Sequence, residues 1–405
     1  MKKLFLSAAS LLLMTTGLKS FAQDAATAPP PQEVAPEASK PKLTFKPAGR
    51  ILFDGALFAP NKNGFSDGVA LPDIRLGGTA TYGKFSAKLD IGYGMSKLSL
   101  KDVYIGFKPN EYNSFKLGYF VHQFGLNAAT SSSMKPTMIA PTSDTFFNAT
   151  GRNLGLGYLY DKGQFFLGAS LFASSQSLSL TPGQQGKISV GAMERFVWRP
   201  IRSDGNVVQI GISTWYQSAE HLDDNDTPGE VHTSPGFFNF SANFPTKVNN
   251  VSMLQATVTN AKAVFKMSPE LILAKDRFAL EGQYYFMNVD RKNGLHSYNA
   301  HGGYASLRAL ILGDSKYGYS HGDAGLATPS PKTLECVIGY DITDAYDRKA
   351  GIAGGISNDY SVTFNYYLNK YIICRLRYNY TTDRLASFAP NRHVNMIQAR
   401  VMFKF

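Results

Sequence analysis

The chain has 405 residues, of which 13% are aromatic (28 Phe and 22 Tyr against 2 Trp) and only 18% are charged, below the roughly 25% of ordinary soluble domains. Mean hydropathy is nevertheless slightly negative. Beyond the N-terminus there is no apolar run of about 18 residues, which excludes a bundle of membrane-spanning helices. The formal charge of +11 is dispersed, with no basic run and no nucleic-acid motif, so nucleic acid is not an expected partner and anionic solutes are left open.

The first 22 residues have the layout of an export signal. Lys2 and Lys3 precede the apolar stretch Leu4 to Met14, and Ser20-Phe21-Ala22 is a small-x-small cleavage site, so the mature chain is expected to begin at Gln23. Residues 23–41 are rich in Ala, Pro and Glu, with Pro29, Pro30, Pro31, Pro36 and Pro41. Such a segment cannot bury a core and is expected to be a periplasmic tail. Residues 42–405 form the remaining unit.

From Lys42 onward the period is two. Ile74, Leu76, Ala80 and Tyr82 alternate with Asp73, Arg75, Thr79 and Thr81. After the tight turn at Gly83-Lys84, Phe85, Ala87, Leu89, Ile91 and Tyr93 alternate with Ser86, Lys88, Asp90 and Gly92. Read this way, strands fall near 43–58, 73–83, 85–95, 98–108, 114–121, 153–160, 164–174, 187–198, 206–217, 263–274, 276–290, 302–313, 333–343, 359–368, 371–382 and 394–405. An even number of strands, many of about 9–11 residues, predicts an all-β transmembrane antiparallel barrel of about sixteen strands, a size that leaves an aqueous channel. Connections alternate between short turns (Gly83-Lys84, Asp161 to Gly163, Lys275-Asp276, Asn369-Lys370) and long loops (His122 to Arg152, Ser218 to Lys262). The connection Asp314 to Lys332 breaks that rule: either it folds on itself or the strand count slips there. Cys336 and Cys374 fall on strands separated by a third, about 10 Å apart and too far for a disulfide. Both read as small apolar residues facing lipid.

The last strand ends the chain. Asn395, Ile397, Ala399, Val401, Phe403 and Phe405 make a mostly apolar face, opposite Val394, Met396, Gln398, Arg400, Met402 and Lys404. An alternating strand that finishes on Phe403 and Phe405 resembles the C-terminal assembly signal of bacterial outer-membrane barrels, in which the last strand also pairs with the first. That likeness implies outer-membrane lipid and the barrel assembly machinery as partners.

Three islands resemble the phosphate-selective porins of the O and P type found in Gram-negative bacteria. Gly302-Gly-Tyr-Ala-Ser-Leu-Arg-Ala-Leu-Ile-Leu-Gly-Asp-Ser-Lys-Tyr317 is similar to that family's Gly-x-Tyr strand and following turn, with Leu312-Gly313-Asp314 in place of Thr-Gly-Glu. Gly354-Gly355 and Thr363-Phe-Asn-Tyr-Tyr-Leu-Asn369 resemble its Gly-Gly and Leu-Asn-Trp-Tyr-Leu-Asn segment, Tyr366 standing where Trp is common. Leu117-Gly-Tyr-Phe-Val-His-Gln-Phe-Gly-Leu126 and Thr130-Ser-Ser132 are similar to its Val-Gly-Gln-Phe-Lys-x-Pro-Phe-Gly-Leu and Thr-Ser-Ser. The resemblance implies a sixteen-stranded, trimeric, passive channel whose third extracellular loop, after strand five, folds inward and narrows the pore.

Inward-facing basic residues on the strands are Arg50, Arg75, Lys88, Arg308, Arg375, Arg377 and Arg400. Arg375 and Arg377 alternate with Cys374, Leu376 and Tyr378, and an Arg facing lipid at the midplane would cost about 2–4 kcal/mol, so both are placed inside. In the lumen these side chains set an anion preference, unless they are cancelled by Asp54, Asp73, Asp90, Glu281 and Asp341. The expected constriction loop carries His122, Lys135, Asp144 and Arg152, without the lysine-rich character of a phosphate trap. No enzyme motif is present: His122, His221, His232, His296, His301, His321 and His393 fall in loops or at strand ends, with no ligand pair or nucleophile elbow. Asp223, Asp224 and Asp226 lack the spacing of a calcium loop. No metal or cofactor is expected. The sequence therefore predicts an outer-membrane porin for passive diffusion of small hydrophilic solutes, anionic or neutral, with a modest preference for anions, phosphate being the family's. The second reading is a filled-lumen barrel serving as adhesin or surface structure, and the third a secreted soluble all-β binding protein.

Overall fold

The computed structural model describes residues 41–61, 64–148, 151–174, 188–219, 236–384 and 391–405. The expected export signal, the tail up to residue 40, His221, His232, Asp223, Asp224 and Asp226 lie outside the described residues.

Among the described residues, sixteen strands close into one antiparallel barrel. In chain order they are β1 (Thr44–Pro60), β2 (Gly68–Tyr82), β3 (Phe85–Gly94), β4 (Lys97–Phe107), β5 (Asn113–Val121), β6 (Arg152–Lys162), β7 (Phe165–Ala173), β8 (Val190–Ser203), β9 (Asn206–Ser218), β12 (Ala261–Lys275), β13 (Phe278–Arg291), β14 (Tyr298–Leu312), β17 (Thr333–Asp347), β18 (Ile352–Tyr367), β19 (Ile372–Arg384) and β20 (Arg392–Lys404). Each has its counterpart in the alternation read from the sequence. Two small hairpins stand apart from the barrel sheet: β10 (Phe237–Asn243) with β11 (Ser252–Thr259), and β15 (Tyr319–Ser320) with β16 (Gly325–Leu326). Two short helices, α1 (Gly125–Ala129) and α2 (Thr142–Phe147), lie in the β5–β6 connection.

The alternation along β20 shows why this chain makes a wall with two faces. Ile397, Val401, Phe403 and Phe405 are exposed on the outside, while Met396, Gln398, Arg400 and Met402 are buried on the inside. Leu76, Leu89, Leu117, Leu156, Ile210 and Leu307 continue the exposed apolar surface around the barrel, the arrangement that a hydrocarbon solvent requires. Closure runs through β1 and β20, from Arg50 opposite Lys404 to Pro60 opposite Val394. The Gly49 and Phe405 amides each donate to the other's carbonyl at 3.1 Å. The Phe405 ring covers Gly49 so closely that a Cβ there would sit 2.5 Å from it. Cys336 and Cys374 are free, on β17 and β19 with β18 between them.

The end carrying the chain terminus has the short turns, at Gly83 and Gly163 with φ of 57° and 56°, a conformation glycine adopts without steric cost. The opposite end is the loop end. The β14–β17 connection is the exception at the terminal end, and it resolves without changing the strand count. It forms the β15–β16 hairpin and enters the barrel, where Tyr319 Oη donates to Gln209 Oε1 at 2.7 Å and Arg195 reaches the Asp323 carbonyl at 2.8 Å. His301 lies within β14 rather than at its end, because that strand begins four residues earlier than the alternation suggested.

Candidate functional site

Two connections and a hairpin occupy much of the lumen. The β5–β6 connection crosses it, held to the far wall by hydrogen bonds from the Gly125 amide to Ser213 Oγ (3.0 Å) and from the Asn127 amide to Gln283 Oε1 (3.0 Å). Gly125 has φ +83°, and a Cβ on it would overlap the Gln283 side chain. Further along, Ser143 Oγ donates to Asp341 Oδ2 at 2.6 Å, and Lys266 Nζ donates to the Phe147 carbonyl at 2.6 Å. The ammonium of Lys266 also lies over the Trp215 and Phe240 rings, 5.5 and 5.4 Å from their centroids. Phe124, Phe146, Phe147, Trp215, Phe240 and Tyr285 belong to one buried cluster, which seals this side of the lumen with apolar packing.

Open space remains along β1–β5. A cavity of about 410 Å³ is bordered there by Arg50, Arg75, Lys88, Asp102, Tyr104 and Lys116 on the wall. The β5–β6 connection contributes Ser131, Ser132, Lys135, Asp144 and Asn148, with Arg152 at the start of β6, and Asp323 comes from the β14–β17 connection. Six cations face three carboxylates. Arg50 pairs with Asp73 at 2.5 Å, Lys88 with Asp90 at 3.1 Å and Asp102 at 3.4 Å, and Arg152 with Asp102 at 2.8 Å. Lys116 has no carboxylate partner among the described residues; its ammonium rests 5.1 Å from the Tyr104 ring centroid. Among the described residues, the Lys135 ammonium bonds only to the neutral side chain of Asn127. Its pKa is lowered, first by burial, with Asp144 pulling it back up. The positive surplus is therefore carried by Lys116 and Lys135, which have no carboxylate at ion-pair distance among the described residues.

The basic residues expected on the inner face divide into two sets. Arg50, Arg75 and Lys88 border the cavity. Arg308, Arg375, Arg377 and Arg400 are buried beneath the folded-in connection instead. Arg308 lies between Glu281 (2.7 Å) and Glu335 (2.8 Å), and Arg377 pairs with Asp359 at 2.5 Å. Arg400 grips Asp54 through two nitrogens at 2.7 and 2.6 Å and donates to the Met138 carbonyl. Arg375 donates to the Thr137 carbonyl at 2.8 Å. The physical reason is desolvation: once a connection covers a lumenal Arg, the charge needs a carboxylate or carbonyl beside it. Of the four loop residues, Lys135, Asp144 and Arg152 border the cavity. His122 is buried between the Phe120 and Phe172 rings, hydrogen-bonded to Ser170 Oγ at 2.8 Å, and burial pushes its pKa down to about 4. It is a neutral anchor at the root of the connection.

The family model described as phosphate-selective porin O and P matches residues 72–405. The chain belongs to that family. It is an outer-membrane porin, and its fold agrees with solved porins at low sequence identity. An anion-selective porin from Comamonas acidovorans superposes with a TM-score of 0.56 at 11% identity, covering 90% of this chain and 100% of that one. OmpT of Vibrio cholerae, in a trimer form, gives 0.54 at 11% identity, with 90% and 99% covered. The channel DcaP of Acinetobacter baumannii gives 0.52 at 12% identity, with 90% and 97% covered. Among curated proteins none is significantly similar to this porin.

Lys116, Asp102 and Asp323 were not among the residues singled out from the sequence. Lys116 carried a usable signal, since it alternates with Phe115 and Leu117 on β5. Asp102 did not. A bulge places Leu89 opposite Val103 but Ile91 opposite Leu100, so Lys101 and Asp102 together oppose Asp90, and parity fails there.

Proposed function

We propose that this porin passes small hydrophilic solutes passively and favours anions, with the cavity along β1–β5 as its narrowest passage. The observation that carries this reading is the pair Lys116 and Lys135, two cations of the passage without a carboxylate at ion-pair distance among the described residues. Arg50, Arg75, Lys88 and Arg152 add positive potential that Asp73, Asp90 and Asp102 partly offset. Arg308, Arg375, Arg377 and Arg400 act one step back, fixing the connection that defines the passage. Phosphate as the preferred anion is not part of the reading, because Lys135 is the single lysine of residues 122–151.

Export through a leader removed after Ala22 and a periplasmic tail over 23–41 belong to the same reading, with the terminal end facing the periplasm. So do recognition of Phe403 and Phe405 by the barrel assembly machinery and assembly as a homotrimer. The trimer is supported by the form in which OmpT of Vibrio cholerae is described. A second reading, a filled barrel serving as adhesin or surface structure, is favoured by the apolar cluster that packs the far side of the lumen.

Single-channel recording in a planar bilayer under a KCl gradient separates the two. The expected result is ohmic steps with a reversal potential favouring chloride. Lys116→Gln should move that potential toward zero, because removing an unpaired cation leaves no acid stranded. Steps favouring potassium would sink the anion preference, and a folded barrel without conductance would establish the filled-lumen reading.

A further inference from the structure

Arg195 on β8 and Glu270 on β12 form an ion pair whose side chains are fully shielded from solvent. Arg195 Nε and Nη2 meet the two Glu270 oxygens at 3.0 and 2.7 Å. A pair this deep is no ready source of stability, since apolar residues of similar volume often serve as well. The other bonds of the guanidinium go to backbone. Nη1 donates to the Asp323 carbonyl at 2.8 Å and Nη2 to the Ala324 carbonyl at 2.9 Å. Gln209 on β9 repeats the pattern: its Nε2 donates to Glu270 Oε1 and to the Ala324 carbonyl, both at 2.9 Å, and its Oε1 accepts from Tyr319. The three side chains make a cradle for the tip of the β15–β16 hairpin. The turn they grip is a tight one, with Ala324 at φ +46°, a left-handed conformation that a residue with a Cβ rarely adopts. The side chain of the gripped Asp323 borders the passage, where the Ser131 amide donates to its Oδ2 at 3.4 Å. The root of the connection is stitched separately. There the Gly205 amide donates to the Tyr317 carbonyl and the Tyr317 amide to the Asp276 carbonyl, both at 2.9 Å.

We infer that Arg195 is a positioning residue for ion selectivity: with Glu270 and Gln209 it sets the Asp323 carboxylate into the passage, where that carboxylate tempers the potential of the six cations. The hairpin tip is then a fixed part of the filter, held from β8, β9 and β12, strands that contribute no residue to the border of the passage. An anion must be able to leave such a site as well as enter it, and an acid held among the cations weakens their grip. The inference rests on the reading of this cavity as the route of the ions, but not on the sign of its preference.

The test is a double-mutant cycle read in the chloride-to-potassium permeability ratio, taken from reversal potentials under a KCl gradient. In the otherwise native chain, Asp323→Asn should raise the ratio about twofold, the effect of one unit charge met across water at about 10 Å. In the Arg195→Met/Glu270→Met chain, where neither partner of the pair is left stranded, the ratio should already stand at the raised value, and Asp323→Asn should add nothing. A cradle that only braced the barrel would lower the yield of folded protein and leave the Asp323→Asn rise intact, so an equal rise in both backgrounds would overturn the inference. Arg195→Lys keeps Glu270 paired but gives up the fork to the two carbonyls. The rise should shrink there too, which keeps the test decisive where the double variant yields no barrel. If the passage favours potassium and the rise is still lost with the cradle, the anion preference fails and the positioning role stands. If Asp323→Asn moves nothing in the native chain, ions do not pass Asp323, and the reading of the passage falls together with the inference.

Discussion

Asp323 is the acid that the β14–β17 connection brings to the passage. Burial pushes its carboxyl above the ordinary range, while the Ser131 amide, Arg195 and Lys116 pull it back. Because the pKa is raised, this carboxylate takes up its proton earlier than an exposed aspartate as the pH falls. Protonation removes one of three negative charges facing six cations, so anion preference should increase on acidification. Reversal potentials measured from pH 7 down to pH 4 should drift toward chloride, and Asp323→Asn should begin at the chloride-rich value and drift less. The sequence could not point to Asp323, because its distance from β1–β5 along the chain is bridged only by the folded hairpin. Lys116 was legible in principle from its alternation on β5. Asp102 was not, since a bulge turns it to the opposite side of the wall from Leu98 and Leu100, with which it shares parity.

At the scale of the element, β20 and β1 close the barrel through a contact that composition hides. Gly49 is small because the Phe405 ring lies on it, and the two residues exchange both backbone hydrogen bonds, so an aromatic shields the backbone that glycine leaves open. Gly49→Val puts branched carbons where the ring sits and should splay the terminal pairing. The expected outcome is a lower yield of folded, heat-modifiable barrel on gel electrophoresis, with Gly49→Ala intermediate. A variant with undiminished yield would show that the ring relocates freely and that the seam does not depend on it. The strands were legible because a wall between lipid and water imposes a period of two on every crossing. The hairpins were not, for a related reason. Phe238, Phe240 and Ala242 alternate on β10 as strand residues do, but seven residues cannot cross a membrane, so a search for spans passes over them. Gly125 likewise looks like any loop glycine until Gln283, from β13, is found against it.

For the whole molecule, the question is how a sixteen-stranded wall comes to hold so narrow a passage. The wall alone would leave a wide aqueous lumen. The narrowing comes from connections that bury their own apolar residues inside it, with the β10–β11 hairpin packed on α2, β17 and β18. The cluster around Phe124, Phe147, Phe240 and Tyr285 is thus a hydrophobic core built inside a pore, and it leaves a cavity against the wall where the cations are. Removing the hairpin separates wall from filling. The Ala219 amide donates to the Lys262 carbonyl at 3.1 Å, so residues 220–259 can be replaced by a short turn without stretching β9 or β12, and every barrel pairing survives. Conductance should rise several-fold. Anion preference should fall together with it, because the new water-filled path runs along the far side, where Arg308 and Arg377 are already neutralised by Glu281, Glu335 and Asp359. A rise in conductance with unchanged selectivity would mean that the ions still follow β1–β5. The cations there would then govern permeation whatever the width of the lumen.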